Sequence, residues 1–364
     1  MSLQYTLEKL IRFKTVTGDA AAVQASYEWI KDQVSVAPLY IKEHVHDGYK
    51  TLVMTTRRTR SPKVWLAAHV DVVAGSAALF KPVVRDGRLI GRGAYDMKFA
   101  IACYVELLQE LAAEARKYDI GVIIVSDEEV RGGSMGKVLK DLRLSGEVAF
   151  LPDGGGEWQF EEAAKGVYSL VMRAHGQSAH GSRPWHGESA IMKLHAFITD
   201  VTQAMAEFAT DDPLHWYPTL NIGRISGGEA WNQVAETAEA TFDIRYTRAS
   251  ERKAIERMLA RLGKRHPGIA LETKIEVEPI SVGRGKDQAK AFIRIAKELY
   301  GIKVGWKKSY GGSDAEFLHK NNIPTLLIWP KAGGAHSEHE WIDLADLERY
   351  YEVLKAWVKE IAQR

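Results

Sequence analysis

The stretch VWLAAHVDVV at residues 64–73 decides the fold, because an apolar run ends abruptly in a histidine and an aspartate. Three further runs follow the same plan: GVIIVS at 121–126, VAFL at 148–151 and TLLIW at 325–329. Each run is typical of a strand buried on both faces, and each is followed by polar residues. Because ligand sites form beyond the carboxyl ends of the strands in open α/β sheets, we expect these polar residues to share one site.

Six acid or histidine residues make up the candidate site: His69, Asp96, Glu128, Glu129, Asp153 and His336. Imidazole nitrogen and carboxylate oxygen suit zinc, and they also bind cobalt or manganese. Asp96, Glu129 and Asp153, together with one hydroxide, would balance the charge of two divalent ions. A pair of ions needs a bridging carboxylate. Asp96, which stands in GRGAYDMK just before a predicted helix, is the candidate for the bridge.

The residues around these ligands suggest further roles. Glu128 and Glu129 are neighbours that point in different directions, so one can bind metal while the other serves as general base. Asp71 lies two residues after His69 on the same side of a strand, where its carboxylate can accept the second ring N–H of His69. Taken singly, each motif has a plainer interpretation, such as a helix cap for Asp96. His336 is preferred to His339 because it directly follows the glycine-rich turn.

Composition excludes several classes of protein. A chain of 364 residues suggests two domains, and 49 basic against 47 acidic residues give a net charge of +2 without a basic block. We therefore expect no nucleic-acid partner. No run approaches the roughly 18 apolar residues of a membrane span, and the first residues lack the apolar core of a signal peptide. A cytoplasmic protein without membrane association is expected, and the single Cys103 forms no internal disulfide.

Strand and helix patterns predict an α/β protein with an insertion. Residues 1–165 and 280–364 alternate strand and helix patterns, which predicts a mostly parallel sheet with helices on both faces. Residues 166–279 have the order βαββαβ, which predicts an inserted ferredoxin-like α+β domain. Its expected elements are strand 167–175, helix 187–209, strands 219–225 and 235–246, helix 250–263 and strand 269–277.

Seven segments together resemble the zinc-dependent exopeptidase and deacylase family. This family includes glutamate carboxypeptidase, succinyl-diaminopimelate desuccinylase, acetylornithine deacetylase, aminoacylase and the cytosolic dipeptidases. The segments are HVDVV at 69–73, GRGAYDMK at 91–98, SDEE at 126–129, PDGG at 152–155, AHGS at 179–182, GGSDA at 311–315 and the segment around His336. The resemblance implies a zinc exopeptidase-like fold, two zinc ions per subunit, and a homodimer formed through the inserted domain.

The resemblance also implies a role for each metal-site residue. His69 and Asp153 would bind one zinc, Glu129 and His336 the other, and Asp96 would bridge them. Glu128 would be the general base, and Asp71 would orient His69.

Residues of the inserted domain and of one loop are expected to contact substrate. By resemblance, His180 would reach the partner subunit's active site and stabilise the oxyanion, and Asn232 would contact substrate. Arg245 resembles a clamp for the α-carboxylate of the substrate, although a salt bridge with Asp243 or with a glutamate is the plainer alternative. Gly312 and Ser313 would line the pocket. Two departures from the family pattern stand out, namely Phe99 after Asp-Met-Lys and Gln-Val-Ala after Asn232.

These features predict a metal-dependent hydrolase that cleaves the amide bond of N-acyl amino acids or dipeptides with a free carboxylate. A water between the two zinc ions would attack, with Glu128 as its base. Carboxypeptidase, dipeptidase and deacylase activities all remain open. One alternative is a metal- or carboxylate-binding protein of the same fold without turnover. Another, a nucleotide-binding α/β enzyme, is disfavoured because no G-x-G-x-x-G follows the first strand.

Overall fold

The computed structural model describes residues 2–282 and 286–363, and its largest sheet has six strands. Their order is β1 (Tyr40–His46), β2 (Tyr49–Thr55), β6 (Ile120–Val125), β3 (Val64–His69), β7 (Val148–Phe150) and β15 (Thr325–Leu326). The last four strands are parallel, whereas β1 and β2 are antiparallel at one edge. The four apolar runs of the sequence are these four parallel strands, so their carboxyl ends meet at one edge of the sheet.

Helices cover this sheet on both faces, as its burial shows. Every residue of β3 and β6 is buried, which requires packing above and below. The helices are α1 (Leu3–Arg12), α2 (Ala20–Gln33), α3 (Lys98–Glu110), α4 (Ser134–Asp141), α7 (Lys286–Tyr300), α8 (Ala315–Lys320) and α9 (Leu344–Ile361). The predicted α/β class is confirmed. α3 ends at Glu110, and a 3₁₀ turn follows over Ala112–Lys117.

A small second sheet holds two loops of the site in place. Its strands, in the order β16, β17, β5 and β4, are Ala332–Gly333, Trp341–Asp343, Arg88–Ile90 and Val83–Arg85. The antiparallel pairing of β17 with β5 connects the segment after His336 to the segment before Asp96. The sequence did not predict these strands, because two or three residues show no periodicity. The remaining short strands are β8 (Gln159–Ala164), β13 (Ile280–Ser281) and β14 (Gly305–Ser309).

The inserted part of the chain has the predicted βαββαβ order. Its elements are β9 (Gly166–His175), α5 (Ala190–Ala206), β10 (Thr219–Gly227), β11 (Thr237–Tyr246), α6 (Ala249–Arg265) and β12 (Ile269–Val277). The antiparallel sheet has the strand order β10-β11-β9-β12. Its core includes Leu170 of β9, Phe242 of β11, Phe197 of α5 and Ile255 of α6.

The chain divides into two compact units. The large unit comprises Met1–Ala163, Ser281–Ser309 and Ser313–Arg364, and the inserted unit comprises Ala164–Ile280 and Tyr310–Gly312. Residues 310–312, expected with the large domain, therefore belong to the inserted unit. Among the described residues, no helix combines the length and the apolar character needed to cross a membrane.

The packing of Trp65 against Gly121 in the main sheet generates a stability prediction. Trp65 is fully buried, and a Cβ at Gly121 would lie 2.3 Å from two of its ring carbons. We expect Gly121→Ala to lower the free energy of unfolding by about 1–3 kcal/mol through overpacking, measured by urea denaturation. The control is Gly305→Ala, whose new Cβ would meet no atom closer than 3.5 Å. Equal stability of the two variants would contradict this packing.

Candidate metal centre

The two carboxylate oxygens of Asp96 face two different histidines. Oδ1 lies 3.1 Å from Nε2 of His69, and Oδ2 lies 3.0 Å from Nε2 of His336. The same His336 nitrogen lies 3.0 Å from Oε2 of Glu129. Two groups of ligand atoms result, His69–Asp96–Asp153 and Asp96–Glu129–His336, and within each group all the atoms lie within 4.8 Å of one another. The structure therefore brings together the five residues expected to bind metal, with Asp96 common to both groups.

The parallel strands explain this convergence. His69 is the last residue of β3, and Glu128 and Glu129 begin a 3₁₀ turn just beyond β6. Asp153 lies in the loop after β7, and His336 lies between β16 and β17. Neighbouring parallel strands that end at one edge place the residues after them in one crevice.

Asp71 contacts both His69 and the turn that carries the two glutamates. Nδ1 of His69 lies 3.0 Å from the backbone carbonyl oxygen of Asp71 and 3.6 Å from its carboxylate. The carboxylate also accepts hydrogen bonds from the backbone N–H groups of Glu128 and Glu129, at 3.3 and 3.2 Å, and from the Thr17 hydroxyl at 2.8 Å. Asp71 therefore fixes the turn that carries both glutamates, while its backbone carbonyl is the nearer acceptor for His69.

Burial and mutual repulsion raise the pKa values of the clustered carboxyls. Burial raises the pKa of Glu129 to about 7, and burial also raises the pKa of Glu128. The pKa of Asp153 is raised well above its ordinary value by burial and by the charge of Glu128. These directions are those expected of negative groups held close together away from water.

Hydrogen bonds between Asp96 and the two histidines favour the charged forms of all three side chains. Burial by itself would raise the pKa of Asp96, but its hydrogen bonds with His336 and His69 hold that pKa well below its usual range. Burial would lower the pKa of His69, yet hydrogen bonds to Asp71 and Asp96 raise it well above its ordinary value. The hydrogen bond to Asp96 likewise raises the pKa of His336. The cluster thus favours positive charge at its centre.

The residues present fit a divalent cation in each group. Each group supplies one imidazole nitrogen and carboxylate oxygens, a donor set that zinc, cobalt and manganese accept. Oδ2 of Asp153 is buried without a hydrogen-bond partner in the described part of the chain, which is consistent with a metal ligand. Glu128 belongs to neither ligand group.

Sequence reasoning missed the residues that support this cluster. Oε2 of Glu161 accepts a hydrogen bond from the N–H of Gly155 at 3.0 Å, which steadies the glycine turn after Asp153. Arg92 and Glu340 form a fully buried ion pair of 2.7 Å beside Asp96. Glu340 stands only four residues after His336, but nothing in the sequence marks it as buried.

His180 and Asn232 are exposed in the inserted unit, on segments that pair with one another. The N–H of Gly181 donates to the carbonyl of Asn232 at 2.7 Å, and His180 forms a β-bridge with Gln233. Nδ1 of His180 accepts a hydrogen bond from the N–H of Ser182 at 3.1 Å. The neutral ring therefore carries its proton on Nε2, which leaves a donor for another group.

Arg245 has the partner that the plainer interpretation named. Its Nε and Nη2 donate to the two carboxylate oxygens of Asp243 at 2.8 and 2.9 Å, and Nη1 donates to the carbonyl of Tyr310 at 3.1 Å. Within residues 2–282 and 286–363, these contacts use three of the five N–H groups of Arg245. Gly312 is exposed in the inserted unit, whereas Ser313 opens the next segment of the large unit.

A mixed sheet that carries such a donor set beyond its strand ends is typical of an α/β enzyme that uses metal ions. The sequence assigns the family: residues 65–360 match Peptidase family M20/M25/M40, and the chain belongs to that family.

The relatives are similar along their whole length. Succinyl-diaminopimelate desuccinylase of Sulfurovum sp. (strain NBC37-1) is 24% identical over 379 residues, covering 100% of both chains. Among solved structures, a tripeptidase from Staphylococcus aureus has a TM-score of 0.82 at 22% identity, covering 99% of this chain and 98% of its own. A metallo-carboxypeptidase of family M20 from Sulfolobus solfataricus has a TM-score of 0.80 at 14% identity, covering 100% and 99%. These structures confirm the fold.

The pKa shifts predict that metal stabilises the protein more as pH rises. Without metal, the raised pKa of Glu129 means that the folded state holds a proton between about pH 4.5 and 7, so stability falls over that range. The raised pKa of His336 contributes stability below about pH 6.5 that is also lost as pH rises. Metal must displace both protons. We therefore expect zinc to raise the melting temperature more at pH 8 than at pH 5.5, measured by scanning calorimetry.

The control for this prediction is Asp96→Asn, in which zinc should have little effect at either pH. A zinc-induced shift of equal size at both pH values in the unsubstituted protein would contradict the assigned proton competition.

Proposed function

We propose that this hydrolase cleaves the amide bond of an N-acyl amino acid or a dipeptide that has a free carboxylate, using two divalent cations, zinc foremost. The observation that carries the proposal is the arrangement of Asp96, whose two oxygens belong to two ligand groups. The names of the relatives support it, because desuccinylase, tripeptidase and carboxypeptidase denote enzymes that cleave amide bonds.

Glu128 is the proposed general base. When bound, the cations would supply Lewis-acid activation of the amide carbonyl and of a water molecule. Glu128 would take a proton from that water and deliver it to the leaving amine. Its position supports this role, since Asp71 holds its backbone N–H while its carboxyl stays outside both ligand groups. Burial raises the pKa of Glu128, which brings the carboxyl closer to the neutral range where a base can accept and return a proton.

His180 is proposed to stabilise the negative oxygen that develops during the reaction. The hydrogen bond accepted at Nδ1 places the proton of the neutral ring on Nε2, and an N–H donor of this kind can stabilise an oxyanion. By family resemblance, the residue would serve the active site of a partner subunit. The proposed contacts for the rest of the substrate are Asn232, which lies on the segment paired with that of His180, Arg245 through its guanidinium, Gly312 and Ser313.

The inserted unit has the surface that a homodimer through this unit would need. Strand β10 is an edge strand with Ile225 exposed, and Ile191 and Met192 are exposed on α5. Trp231 is 98% exposed beside them and lines a cavity of about 620 Å³. Unpaired sheet edges and clustered exposed apolar side chains are features of association surfaces. A second copy of this chain is the proposed partner.

Glu128→Gln tests the proposed base. The isosteric amide keeps the shape of the site but cannot accept the proton, so we expect kcat to fall at least roughly 10²-fold while metal content is unchanged. A panel of N-acetyl, N-succinyl and N-formyl amino acids and of dipeptides, assayed with zinc, cobalt and manganese, supplies the substrate for this comparison. Full turnover by Glu128→Gln would remove Glu128 from the mechanism. An unsubstituted protein that binds metal but cleaves nothing would instead favour a binding protein.

Mixed dimers test the proposed role of His180 across subunits. His180→Ala and Glu128→Gln homodimers should both be nearly inactive. A heterodimer of the two has one site that combines an intact Glu128 with the partner subunit's His180, so we expect about half of the normal activity per dimer to return. The measurement is the turnover of purified, doubly tagged heterodimer. No recovery would assign His180 to its own subunit or to no catalytic role.

A further inference from the structure

A buried carboxylate anchors the backbone at Asp96. Oε1 of Glu340 accepts hydrogen bonds from the backbone N–H groups of Tyr95 and Asp96, both at 3.0 Å. Oε2 accepts from Nη1 of Arg92 at 2.7 Å. Glu340 has no exposed surface and Arg92 only 2%. Glu340 thus holds the backbone of Tyr95 and Asp96 with one carboxylate oxygen and binds Arg92 with the other.

The same residue lies at the end of the turn that carries His336. The N–H of Ser337 donates to the carbonyl of Gly334 at 3.0 Å, and the N–H of His339 donates to Oγ of Ser337 at 3.1 Å, so the turn is closed on itself. Glu340 comes directly after this turn, and its backbone carbonyl accepts from the N–H of Gly91 at 3.0 Å. Glu340 therefore ties together the two loops that deliver Asp96 and His336.

Stability alone gives a weak reason for this ion pair. Buried ion pairs contribute little net free energy, because removing both charges from water offsets their attraction. Here the balance is worse, since Nε of Arg92 is buried without a partner among the described residues and Nη2 reaches the carbonyl of Ala74 only at 3.5 Å. The pair does provide geometry, because the backbone N–H groups of Tyr95 and Asp96 both donate charge-assisted hydrogen bonds to one oxygen of Glu340.

We propose that Glu340, itself held by Arg92, is a positioning residue of the metal centre. It sets the direction of the Asp96 carboxylate and its distance from His336, and so it governs the affinity for the cation that these two residues share. The inference deepens the proposed function, because it rests on the same metal centre, but it does not depend on which amide bond is cleaved. Loss of residues that orient metal ligands typically lowers metal affinity by about 10- to 100-fold.

The test is a zinc titration of metal-free Glu340→Gln by calorimetry with a competing chelator. The oxygen of the new amide can still accept hydrogen bonds from the backbone N–H groups of Tyr95 and Asp96. Its NH₂ group, however, faces Arg92 where the negatively charged oxygen of Glu340 was. We expect the affinity for one of the two ions to fall at least about 10-fold, with a smaller change for the other. Unchanged affinity for both ions in folded Glu340→Gln would overturn the proposal.

Two control variants separate positioning from general effects. Glu338→Gln makes the same change of charge in the same turn, at an exposed residue that accepts a hydrogen bond from Ser76, and should leave both affinities within about twofold. Glu106→Gln alters another buried carboxylate of the large unit, which accepts from the Thr6 hydroxyl at 2.6 Å. Glu106→Gln should lower the melting temperature without lowering the affinity for zinc. Equal weakening in Glu106→Gln and Glu340→Gln would also overturn the proposal.

A double variant covers the case in which Glu340→Gln does not fold. Arg92→Met combined with Glu340→Gln removes both charges together, which is tolerated better than leaving one buried alone. A lower zinc affinity in the folded double variant supports a positioning role for Glu340. If neither Glu340→Gln nor the double variant folds, the ion pair is needed for folding and the inference is overturned. The unsubstituted protein is titrated in parallel. If the unsubstituted protein binds no zinc, the proposed metal centre is wrong. If the unsubstituted protein and the Glu340 variants bind zinc equally well, only the proposed role of Glu340 is wrong.

Discussion

The constraint on which the site depends is the sharing of Asp96 between two histidines on opposite sides of its carboxylate. With Oδ1 toward His69 and Oδ2 toward His336, a single side chain joins two sets of ligands that arrive from different strands. Glu129 and Asp153 complete the sets at close range, and their raised pKa values reflect burial first and the neighbouring negative groups second. Such crowding is unfavourable without a compensating cation, and that need for positive charge supports the proposed metal pair.

Much of this arrangement could be predicted from the sequence because it depends on strand direction. Apolar runs that end in His69, Glu128 and Asp153 identify buried parallel strands, and parallel strands place the residues after them at one edge of the sheet. The inserted unit was equally predictable. In β11 the alternating residues Ala238, Ala240, Phe242 and Ile244 are buried while their neighbours are not, and a ten-residue strand shows this period clearly.

The supporting contacts could not be predicted, for physical reasons. Arg92 and Glu340 are 248 residues apart, and they meet through strands of three residues that are too short to show a pattern. Charged residues are expected at the surface unless a partner is known, so both would be assigned to solvent. Asp71 was expected to orient His69, and the sequence did not show that its carboxylate also binds the backbone of the glutamate turn. Period and spacing place a residue at a site; they do not tell which of its atoms is used.

The central claim is that two cations share the carboxylate of Asp96, and zinc-edge anomalous diffraction from a crystal grown with zinc tests it most directly. The account predicts two anomalous peaks about 3.5–4 Å apart, one on each side of Asp96. One peak should be bound by His69 and Asp153, and the other by Glu129 and His336. A single peak, peaks that do not contact Asp96, or none at these residues in a zinc-saturated crystal would contradict it.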